Sequence, residues 1–579
     1  MANKTKDQAD RLPSERILVV VAEPDAGLRA ETANVRSTSA MDTSPLNKLL
    51  GEAGASMLTL FGESEERLRG RAAEAPSSDG AEEPQLDLFY RVDAPDQDLD
   101  KLAAKLAKMP GIAGAYVKPE PEPAIEAAEM VRETEESEEQ APLNAATPLP
   151  DAAPPATPNF VPRQTYLGPA PGGIDAEYAW TQRGGRGWNV RVFDCEGAWR
   201  FTHEDLMQNQ GGVVGTQTTA LNWRNHGTAV VGVIGGDRNA IGVTGISPDA
   251  HTRGSSIFAG GGLAGAIRAA ADRLRPGDII LLEVQYGHPS KGYTAVEWWP
   301  DDFAAIRYAV NRGVIVVEAA GNGNNNLDDP VYNTPLAGFP ASWSNPFRRS
   351  NRDSGAVVVG AGAPPPGTHG RNHGPDRSRL GFSNYGSMID VQGWGREVTT
   401  CGYGNLQGGA SEDLWYTDTF SGTSSASPIV VGALACVQGV LRANRRIPLS
   451  PARARQLLRS SGSPQTDAPG RPRSQRIGNR PNLRQLIPMA LRSDKWLGVQ
   501  FTGLLNPNQT RRWFTFRWPA HWHVNWSVMP TSPRPGAPQI SWDVQVERAS
   551  DAHVTYWISV TNHTNEPVNI EARYAVIGW

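Results

Sequence analysis

The chain has 579 residues, 39% of them hydrophobic, and a formal net charge of −5. This length exceeds one ordinary domain of about 100 to 200 residues, so it indicates about three domains with real cores. The small net charge gives no global sign of a nucleic-acid or membrane partner, and we expect neither.

The N-terminus lacks the pattern of a secretory signal. Its first twenty residues, MANKTKDQADRLPSERILVV, have no sustained apolar core, and we expect residues 1–15 to be disordered. The longest apolar run, PIVVGALACVQGVL, is shorter than the roughly 20 residues that span a bilayer and predicts a buried helix. Cys195, Cys401 and Cys436 lack metal-ligand spacing. We therefore expect a cytoplasmic setting, with unconventional export left open.

Residues 16–118 carry the pattern of a small α+β unit. Strand-like segments RILVVVAEP, SMLTLFG, LDLFYRVDAP and IAGAYVKPE enclose the helical segments SPLNKLLGEAG and DLDKLAAKLAKMPG. The order β-α-β-β-α-β predicts a ferredoxin-like fold. Residues 119–165 follow, with an acidic run and many prolines, and predict a linker.

The remaining chain divides into two patterns. Residues 166–490 alternate short apolar strands with helices, which predicts an α/β domain with a parallel sheet covered by helices on both faces. Ligands in such sheets bind beyond the carboxyl ends of the strands. Residues 494–579 contain several short alternating strands rich in aromatic residues, which predicts a small β-sandwich.

The stretch FSGTSSASPIVVGALACV places serines at the start of an apolar helix. One interpretation is an ordinary helix cap, because Ser and Thr accept the free amides of a first turn. The other is a nucleophile at Ser424, where the positive end of the helix dipole favours developing negative charge.

Three further polar residues lie at strand ends or helix starts beside glycine. WNVRVFDCEGAW presents Asp194, NHGTAVVGVIGG presents His226, and VIVVEAAGNG presents Asn322. Each alone has a structural interpretation, as a turn former, a buried histidine or a turn residue. Together with Ser424 they match the set for acyl transfer, in which an acid orients a histidine that deprotonates a serine. Asn322 would donate to the oxyanion.

On these segments the chain resembles the subtilisin-like serine proteases, or subtilases. VRVFDCEGAW with THEDL, NHGTAVVGVIGG, AAGNG and FSGTSSASPIVVGALA occur in that family's order over about residues 166–490. The resemblance implies Asp194 as orienting acid, His226 as general base, Ser424 as nucleophile and Asn322 as oxyanion donor. It assigns no such role to the neighbouring Ser425.

The same resemblance implies that residues 16–118 are an inhibitory prodomain, whose tail crosses the cleft and is cut within about residues 116–165. It places a substrate-pairing strand at LLEVQYGHP, with Gln285, Tyr286, Gly287 and Gly321 as binding residues. Glu283 and Glu318 lie on two strands that feed this cleft. They either share a proton, attract a basic substrate, or bond to nearby backbone amides.

No cofactor is required for this chemistry, but GGDRNAIGVTGISP resembles a loop that binds Ca²⁺ in many subtilases. The resemblance implies the following ligands: Asp205 and Asn239 by side chain, and Asp237, Ile241 and Val243 by backbone carbonyl. A turn without an ion is the alternative.

Two side-chain questions stay open in the sequence. Cys195 is either a small buried hydrophobe or a reactive thiol beside the catalytic set. The tryptophans of the C-terminal domain form its core or an exposed recognition surface; they include Trp518, Trp522, Trp526 and Trp542.

The leading functional hypothesis is a self-processing serine endopeptidase that acts on protein or peptide substrates and carries its own prodomain as inhibitor. The alternatives are a narrow processing or signalling protease recruited to one partner, and a silent binding scaffold. An esterase of the α/β-hydrolase type is disfavoured, because its serine precedes the acid and the histidine in the chain.

Overall fold

The computed structural model describes residues 16–31, 34–74, 84–125, 156–444, 446, 448–492, 496–531 and 536–578. The predicted disorder of residues 1–15 and the central part of the predicted linker, 126–155, lie outside the described residues. The two ends of that linker are described, and both contact the catalytic unit.

The N-terminal unit is a four-stranded antiparallel sheet in the order β4-β5-β1-β6. Its strands are β1 (Ile17–Ala22), β4 (Ser56–Thr59), β5 (Phe89–Asp93) and β6 (Ile112–Lys118). Helices α1 (Ser44–Glu52) and α3 (Leu99–Leu106) complete the predicted ferredoxin-like arrangement. The sequence did not predict the hairpin β2 (Leu28–Ala30) and β3 (Val35–Ser37) or helix α2 (Glu65–Glu74). Helix α2, EERLRGRAAE, has too few apolar residues to show a helical stripe.

The middle of the chain forms a seven-stranded parallel sheet in the order β16-β15-β14-β11-β8-β10-β9. These strands are β8 (Arg191–Glu196), β9 (Gln210–Val214), β10 (His251–Ser256), β11 (Ile279–Leu282), β14 (Ile315–Ala319), β15 (Val357–Gly362) and β16 (Val391–Trp394). Smaller strands flank it: β12 (Val284–His288), β13 (Gly292–Thr294), β17 (Val398–Cys401) and β18 (Tyr416–Phe420). The helices are α4 (Ala176–Trp180), α5 (Leu221–Gly235), α6 (Gly262–Ala271), α7 (Pro300–Asn311), α8 (Thr423–Ala443), α9 (Pro451–Ser460) and α10 (Leu483–Leu491).

Helices cover both faces of this sheet, as predicted. Successive strand residues point to opposite faces, so Ile280 and Leu282 pack with helices α6 and α7. Ile279 and Leu281 pack on the other face, with helices α5 and α8. Helix α8 is long and apolar enough by composition to cross a membrane, but its apolar window is 100% buried within this fold. It is the central core helix of the catalytic unit.

The N-terminal sheet packs against helices α6 and α7 through a shared apolar core that includes Val19, Phe61 and Ile267. A buried ion cluster adds to this contact. Lys118 Nζ lies 2.8 Å from Asp301 Oδ2 and 2.7 Å from Asp302 Oδ2. The hydroxyl of Tyr116 donates to Asp301 Oδ1 at 3.0 Å. We call these four residues the interface cluster.

The C-terminal region is a sandwich of two three-stranded antiparallel sheets, β19-β24-β21 and β20-β23-β22. The strands are β19 (Trp496–Leu505), β20 (Thr510–Pro519), β21 (His523–Pro530), β22 (Ile540–Arg548), β23 (His553–Asn562) and β24 (Val568–Gly578). Trp518 and Trp526 are buried in the core between the sheets and Trp522 packs against it, whereas Trp542 is 44% exposed. The interpretation of these tryptophans as core residues therefore holds for three of the four.

Candidate active site

The chain's own segment 122–125 lies along the edge of strand β12. Strand β7 (Glu122–Pro123) pairs antiparallel with β12, with Glu122 opposite Gln285 and Pro123 opposite Val284. The Ala124 amide donates to the Glu283 carbonyl at 3.3 Å, and Gln285 Nε2 donates to the Pro123 carbonyl at 3.1 Å. This is the geometry of a peptide that extends an exposed sheet edge. The predicted pairing strand thus holds the tail of the N-terminal unit.

The carbonyl oxygen of Ala124 is surrounded by donors. It accepts hydrogen bonds from Ser424 Oγ at 2.7 Å, from the Ser424 amide at 3.2 Å and from Asn322 Nδ2 at 2.6 Å. Asn322 Nδ2 also donates to the Ile125 carbonyl at 2.8 Å. A backbone amide and a side-chain amide that converge on one carbonyl oxygen can stabilise negative charge there.

Ser424 reaches this carbonyl because of the turn that precedes helix α8. Gly422 has φ +99°, which a residue with a side chain rarely adopts. A Cβ at this position would lie 2.4 Å from the Ala124 carbonyl oxygen. Only glycine therefore admits the peptide, and the helix that follows directs its free amides at the carbonyl.

Thr423 fixes the orientation of the Asn322 side chain. Its amide and its hydroxyl donate to Asn322 Oδ1 at 2.9 and 3.0 Å, which turns Nδ2 toward the cleft. The sequence analysis missed this role, although Thr423 precedes the predicted nucleophile directly. The neighbouring Ser425 bonds instead to the carbonyls of Trp394 and Gly422.

His226 lies on helix α5, and its side chain is fully buried. Its Nδ1 is 2.5 Å from Glu196 Oε2, while Nε2 has no hydrogen-bond partner in the part of the chain that the structure describes. Burial lowers the pKa of the imidazole to about 3. The ring is therefore neutral while the tail fills the cleft, and a free Nε2 can accept a proton.

In this structure Asp194, the predicted orienting acid, makes no hydrogen bond to His226. Asp194 Oδ2 instead accepts from the indole Nε1 of Trp199 at 2.7 Å, and Glu196 makes the bond to the histidine. Residues 194 and 196 are two apart on strand β8, so both side chains point to the same face. Glu196 was not predicted from the sequence, although the alternation of strand residues places it on the same face as the predicted Asp194.

The two cleft glutamates have other neighbours than predicted. Glu283 Oε1 accepts from Ser427 Oγ at 2.5 Å, and its pKa is raised well above the ordinary value, first by burial and then by Asp194. Glu318 lies instead beside another carboxyl, Glu297, and burial likewise raises its pKa. They therefore do not share a proton with each other.

The other predicted residues near the cleft take structural positions. Tyr286 and Gly287 continue strand β12 and pair with Thr294 and Tyr293 on its other edge. The carbonyl of Gly321, which has φ +90°, accepts the amide of Asn384.

Cys195 is fully buried, and burial raises the pKa of its thiol well above the ordinary value. This environment matches the interpretation as a small buried hydrophobe rather than that of a reactive thiol.

The loop suggested for Ca²⁺ is closed by hydrogen bonds of its own. Asp205 accepts from Asn239 Nδ2 at 2.7 Å and from the Val243 amide at 2.6 Å, and Asn239 Oδ1 accepts from the Ile241 amide. Asp237 accepts the amides of Met207 and Gln208. Donors thus occupy the side-chain oxygens of Asp205, Asn239 and Asp237 in this arrangement. Calcium binding stays a prediction, and no step below uses it.

Comparison with known proteins agrees with this geometry. Residues 154–479, more than half of the chain, match the model of the subtilase family, Peptidase_S8. Subtilisin BL of Lederbergia lenta is 28% identical over 241 residues, which cover 41% of this chain and 72% of that protein. The alkaline protease of Alkalihalobacillus alcalophilus is also 28% identical, and the alignment covers 41% of this chain and 51% of that protein, about half its length.

Among solved structures, the epidermin leader peptide processing serine protease of Staphylococcus aureus is 16% identical. The alignment covers 83% of this chain and 99% of that chain, with a TM-score of 0.46. The family match rests on the sequence model, which spans the segments that carry His226, Asn322 and Ser424. The chain therefore belongs to the subtilase family and is a subtilisin-like serine protease.

Proposed function

We propose that this protease is a serine endopeptidase made as a zymogen, which cuts its own chain between Ala124 and Ile125. The observation that carries the proposal is the set of three donors on the Ala124 carbonyl oxygen: Ser424 Oγ, the Ser424 amide and Asn322 Nδ2. The two amide donors form an oxyanion site and mark the carbonyl that is attacked, and Ser424 Oγ is the nucleophile beside it. The scissile bond is then the one that follows Ala124.

The reaction follows from these groups. Nε2 of His226 takes the proton of Ser424 Oγ as the oxygen bonds to the Ala124 carbonyl carbon. The carbonyl oxygen becomes negative and is held by Asn322 and the Ser424 amide. The imidazolium then gives its proton to the nitrogen of Ile125, which leaves as a free amine. Water hydrolyses the Ala124 ester by the same steps and regenerates Ser424.

After cleavage, the N-terminal unit would remain as an inhibitor. Its new C-terminus at Ala124 still follows the paired segment 122–123, and its sheet is held by the interface cluster. Access for other substrates then requires that this unit dissociate or be degraded.

The test is the terminal sequence of the purified full chain. Wild type is expected to yield a fragment that begins at Ile125, and Ser424→Ala is expected to stay intact. Ser425→Ala is the matched control, because it removes a neighbouring hydroxyl that does not bond to Ala124, and it should process like wild type. A fragment pattern shared by wild type and Ser424→Ala would contradict self-cleavage.

A second candidate, a protease of narrow specificity, is favoured by one contact. The hydroxyl of Tyr293 donates to Glu122 Oε2 at 2.5 Å, two residues before Ala124. A hydrogen bond to a charged group contributes about 1.5 to 3 kcal/mol. Peptides with Glu-Pro-Ala directly before the scissile bond should therefore be cut roughly tenfold or more faster than peptides with Gln-Pro-Ala there.

That preference is measured as kcat/KM on the paired peptides with the processed enzyme. Tyr293→Phe should remove it and leave the cleavage of the Gln peptide unchanged. Equal rates for both peptides with wild type would indicate a general endopeptidase. A serine-directed activity probe separates both proteases from a silent scaffold, because only the proteases would be labelled at Ser424 once processed.

A further inference from the structure

Three carboxyl groups lie together beneath His226, and the reaction described above uses none of them directly. Asp194 and Glu196 lie on strand β8. Glu283 directly follows strand β11, which pairs with β8 in the sheet. All three side chains are fully buried. We call them the carboxyl cluster.

The charge of this cluster is not balanced by a basic side chain. Among the described residues, no lysine or arginine forms an ion pair with Asp194, Glu196 or Glu283, and the one basic partner is His226. Several buried carboxylates at close range cannot all be ionised, because each charge is both desolvated and repelled by the others. At least one proton must therefore reside in the cluster.

The hydrogen bonds indicate where that proton resides. Asp194 and Glu196 point to the same face of strand β8, and the buried Asp194 Oδ1 and Glu196 Oε1 have no donor within the described residues. A proton on one of the two carboxyls satisfies both oxygens at once. Burial raises the pKa of both carboxyls well above the ordinary values, which favours a proton shared between them.

Glu196 must be ionised to hold His226 in the tautomer that the reaction uses. Its Oε2 lies 2.5 Å from His226 Nδ1, so an ionised Glu196 accepts the Nδ1 proton and leaves Nε2 as the acceptor for Ser424. Asp194 Oδ2 already accepts from Trp199, which leaves Oδ1 to carry a proton.

We propose that Glu196, and not Asp194, is the carboxylate that positions His226, and that Asp194 is a neutral acid that donates a hydrogen bond to Glu196. This inference deepens the proposed function and rests on it. Both are positioning residues, since they act on the substrate only through the histidine.

Two isosteric variants separate the alternatives. Asp194→Asn should be tolerated, because an amide can donate to Glu196 while its oxygen accepts from Trp199. Glu196→Gln should not, because its single oxygen is needed to accept from Asp194, which leaves the NH₂ group facing Nδ1 and favours the wrong tautomer. Glu283→Gln is the matched control, as a change in the same cluster at a group that does not bond to His226.

The experiment measures the rate of self-cleavage after refolding of each full chain, over a range of pH. This single turnover avoids the need for processed enzyme, and circular dichroism reports whether each chain has folded. We expect Glu196→Gln to slow cleavage by about 10³- to 10⁴-fold, and Asp194→Asn and Glu283→Gln by less than about tenfold. Glu196→Asp keeps the charge on a shorter side chain. Its rate of self-cleavage should lie between those of Glu196→Gln and wild type.

The acid limb of the pH profile supplies a readout that a purely structural role would not move. It reports protonation of His226 among Asp194, Glu196 and Glu283, the titratable groups that face it. Replacing a group that is already neutral should leave the limb unchanged, whereas loss of the negative partner should shift it to lower pH. We therefore expect the acid limb to stay in place in Asp194→Asn. In Glu196→Asp we expect it to move to lower pH, because the shorter side chain makes a weaker contact with His226.

The opposite ranking would overturn the inference: a loss of 10³-fold or more in Asp194→Asn with near-normal cleavage in Glu196→Gln. If Glu196→Gln does not fold, the self-cleavage rates of Glu196→Asp and Asp194→Asn are compared instead. A slower rate in Asp194→Asn would overturn the inference. Failure of the proposed function looks different, because wild type itself would then not cleave, or Ser424→Ala would cleave equally.

Discussion

The interface cluster and the carboxyl cluster are both buried and both rich in carboxyl groups, but their charges are balanced differently. Lys118 contacts Asp301 and Asp302 at all times. Burial alone would lower the pKa of Lys118, but the attraction of these two aspartates raises it above the ordinary value. Burial raises the pKa of Asp302, and the charge of Lys118 opposes that shift.

The carboxyl cluster has a cationic partner only during the reaction, when His226 takes the serine proton. Before that step its negative charge is uncompensated, and the imidazolium relieves it. An environment prepared for a charge that develops later lowers the barrier to that charge. Among the described residues, a lysine thus balances the cluster at the interface, and no lysine or arginine pairs with the cluster beneath His226.

The largest expected effect breaks the permanent pair. Lys118→Met, made in Ser424→Ala to keep the chain intact, leaves two buried carboxyl groups without their cation and should destabilise the interface by about 3 to 5 kcal/mol. Hydrogen exchange of residues 112–118, followed by mass spectrometry, measures the loss. Replacing Asp301 and Asp302 by Asn in the same chain should restore most of the protection. Unchanged exchange in Lys118→Met would show that the ion cluster does not hold the unit.

A smaller effect is expected from Tyr116→Phe. It removes one hydrogen bond, of 3.0 Å, to the buried carboxyl of Asp301 and keeps the ring. The loss should be about 1.5 to 3 kcal/mol, since the acceptor is charged. The same exchange experiment detects it, and a loss equal to that of Lys118→Met would contradict the assigned difference between the two contacts.

The pH dependence of stability tests the carboxyl cluster. Burial raises the pKa values of Asp194, Glu196 and Glu283 well above their ordinary values. Such groups stabilise the fold below their unfolded pKa of about 4, and that contribution is lost as the pH rises through the folded pKa. The unfolding free energy of Ser424→Ala should therefore fall with rising pH, by roughly 1.4 kcal/mol per unit for each group that keeps its proton.

Guanidinium unfolding at several values between about pH 5 and pH 8 measures this slope. Asp194→Asn in the same background is the control, because it removes one retained proton and should flatten the dependence. A stability that rises with pH over this range would mean that the cluster is ionised in the folded chain.

The smallest effect is expected from Glu283→Gln. The side chain already behaves as a neutral acceptor for Ser427, so the amide should change the unfolding free energy by less than about 1 kcal/mol near pH 5. At pH 8 the sign should favour the variant, because the wild-type carboxyl is ionised in the unfolded chain while burial raises its pKa in the folded one. Equal destabilisation at both values would argue that Glu283 is ionised throughout.

The sequence indicated much of this fold and part of its site. Alternating strands and helices predicted the parallel sheet, because burial on both faces leaves continuous apolar runs such as that of β11. Glycine beside His226, Asn322 and Ser424 pointed to close backbone approach. The choice between Asp194 and Glu196 could not be made, since alternation places both on one face and only the tertiary distance ranks them. The pair Glu122 and Tyr293 lies 171 residues apart, beyond any local pattern.

The burial of Ile125 gives the proposed cut a direction. Its side chain is 1% exposed and packs into the apolar core that also contains Phe420. As an amide within the chain its nitrogen carries no charge, but cleavage would convert it into an ammonium group enclosed by hydrocarbon. Such a charge is costly to desolvate, so the new terminus would move out to water. Once the new terminus has moved out, the amine that religation requires is no longer beside the ester. The first cut is then effectively irreversible.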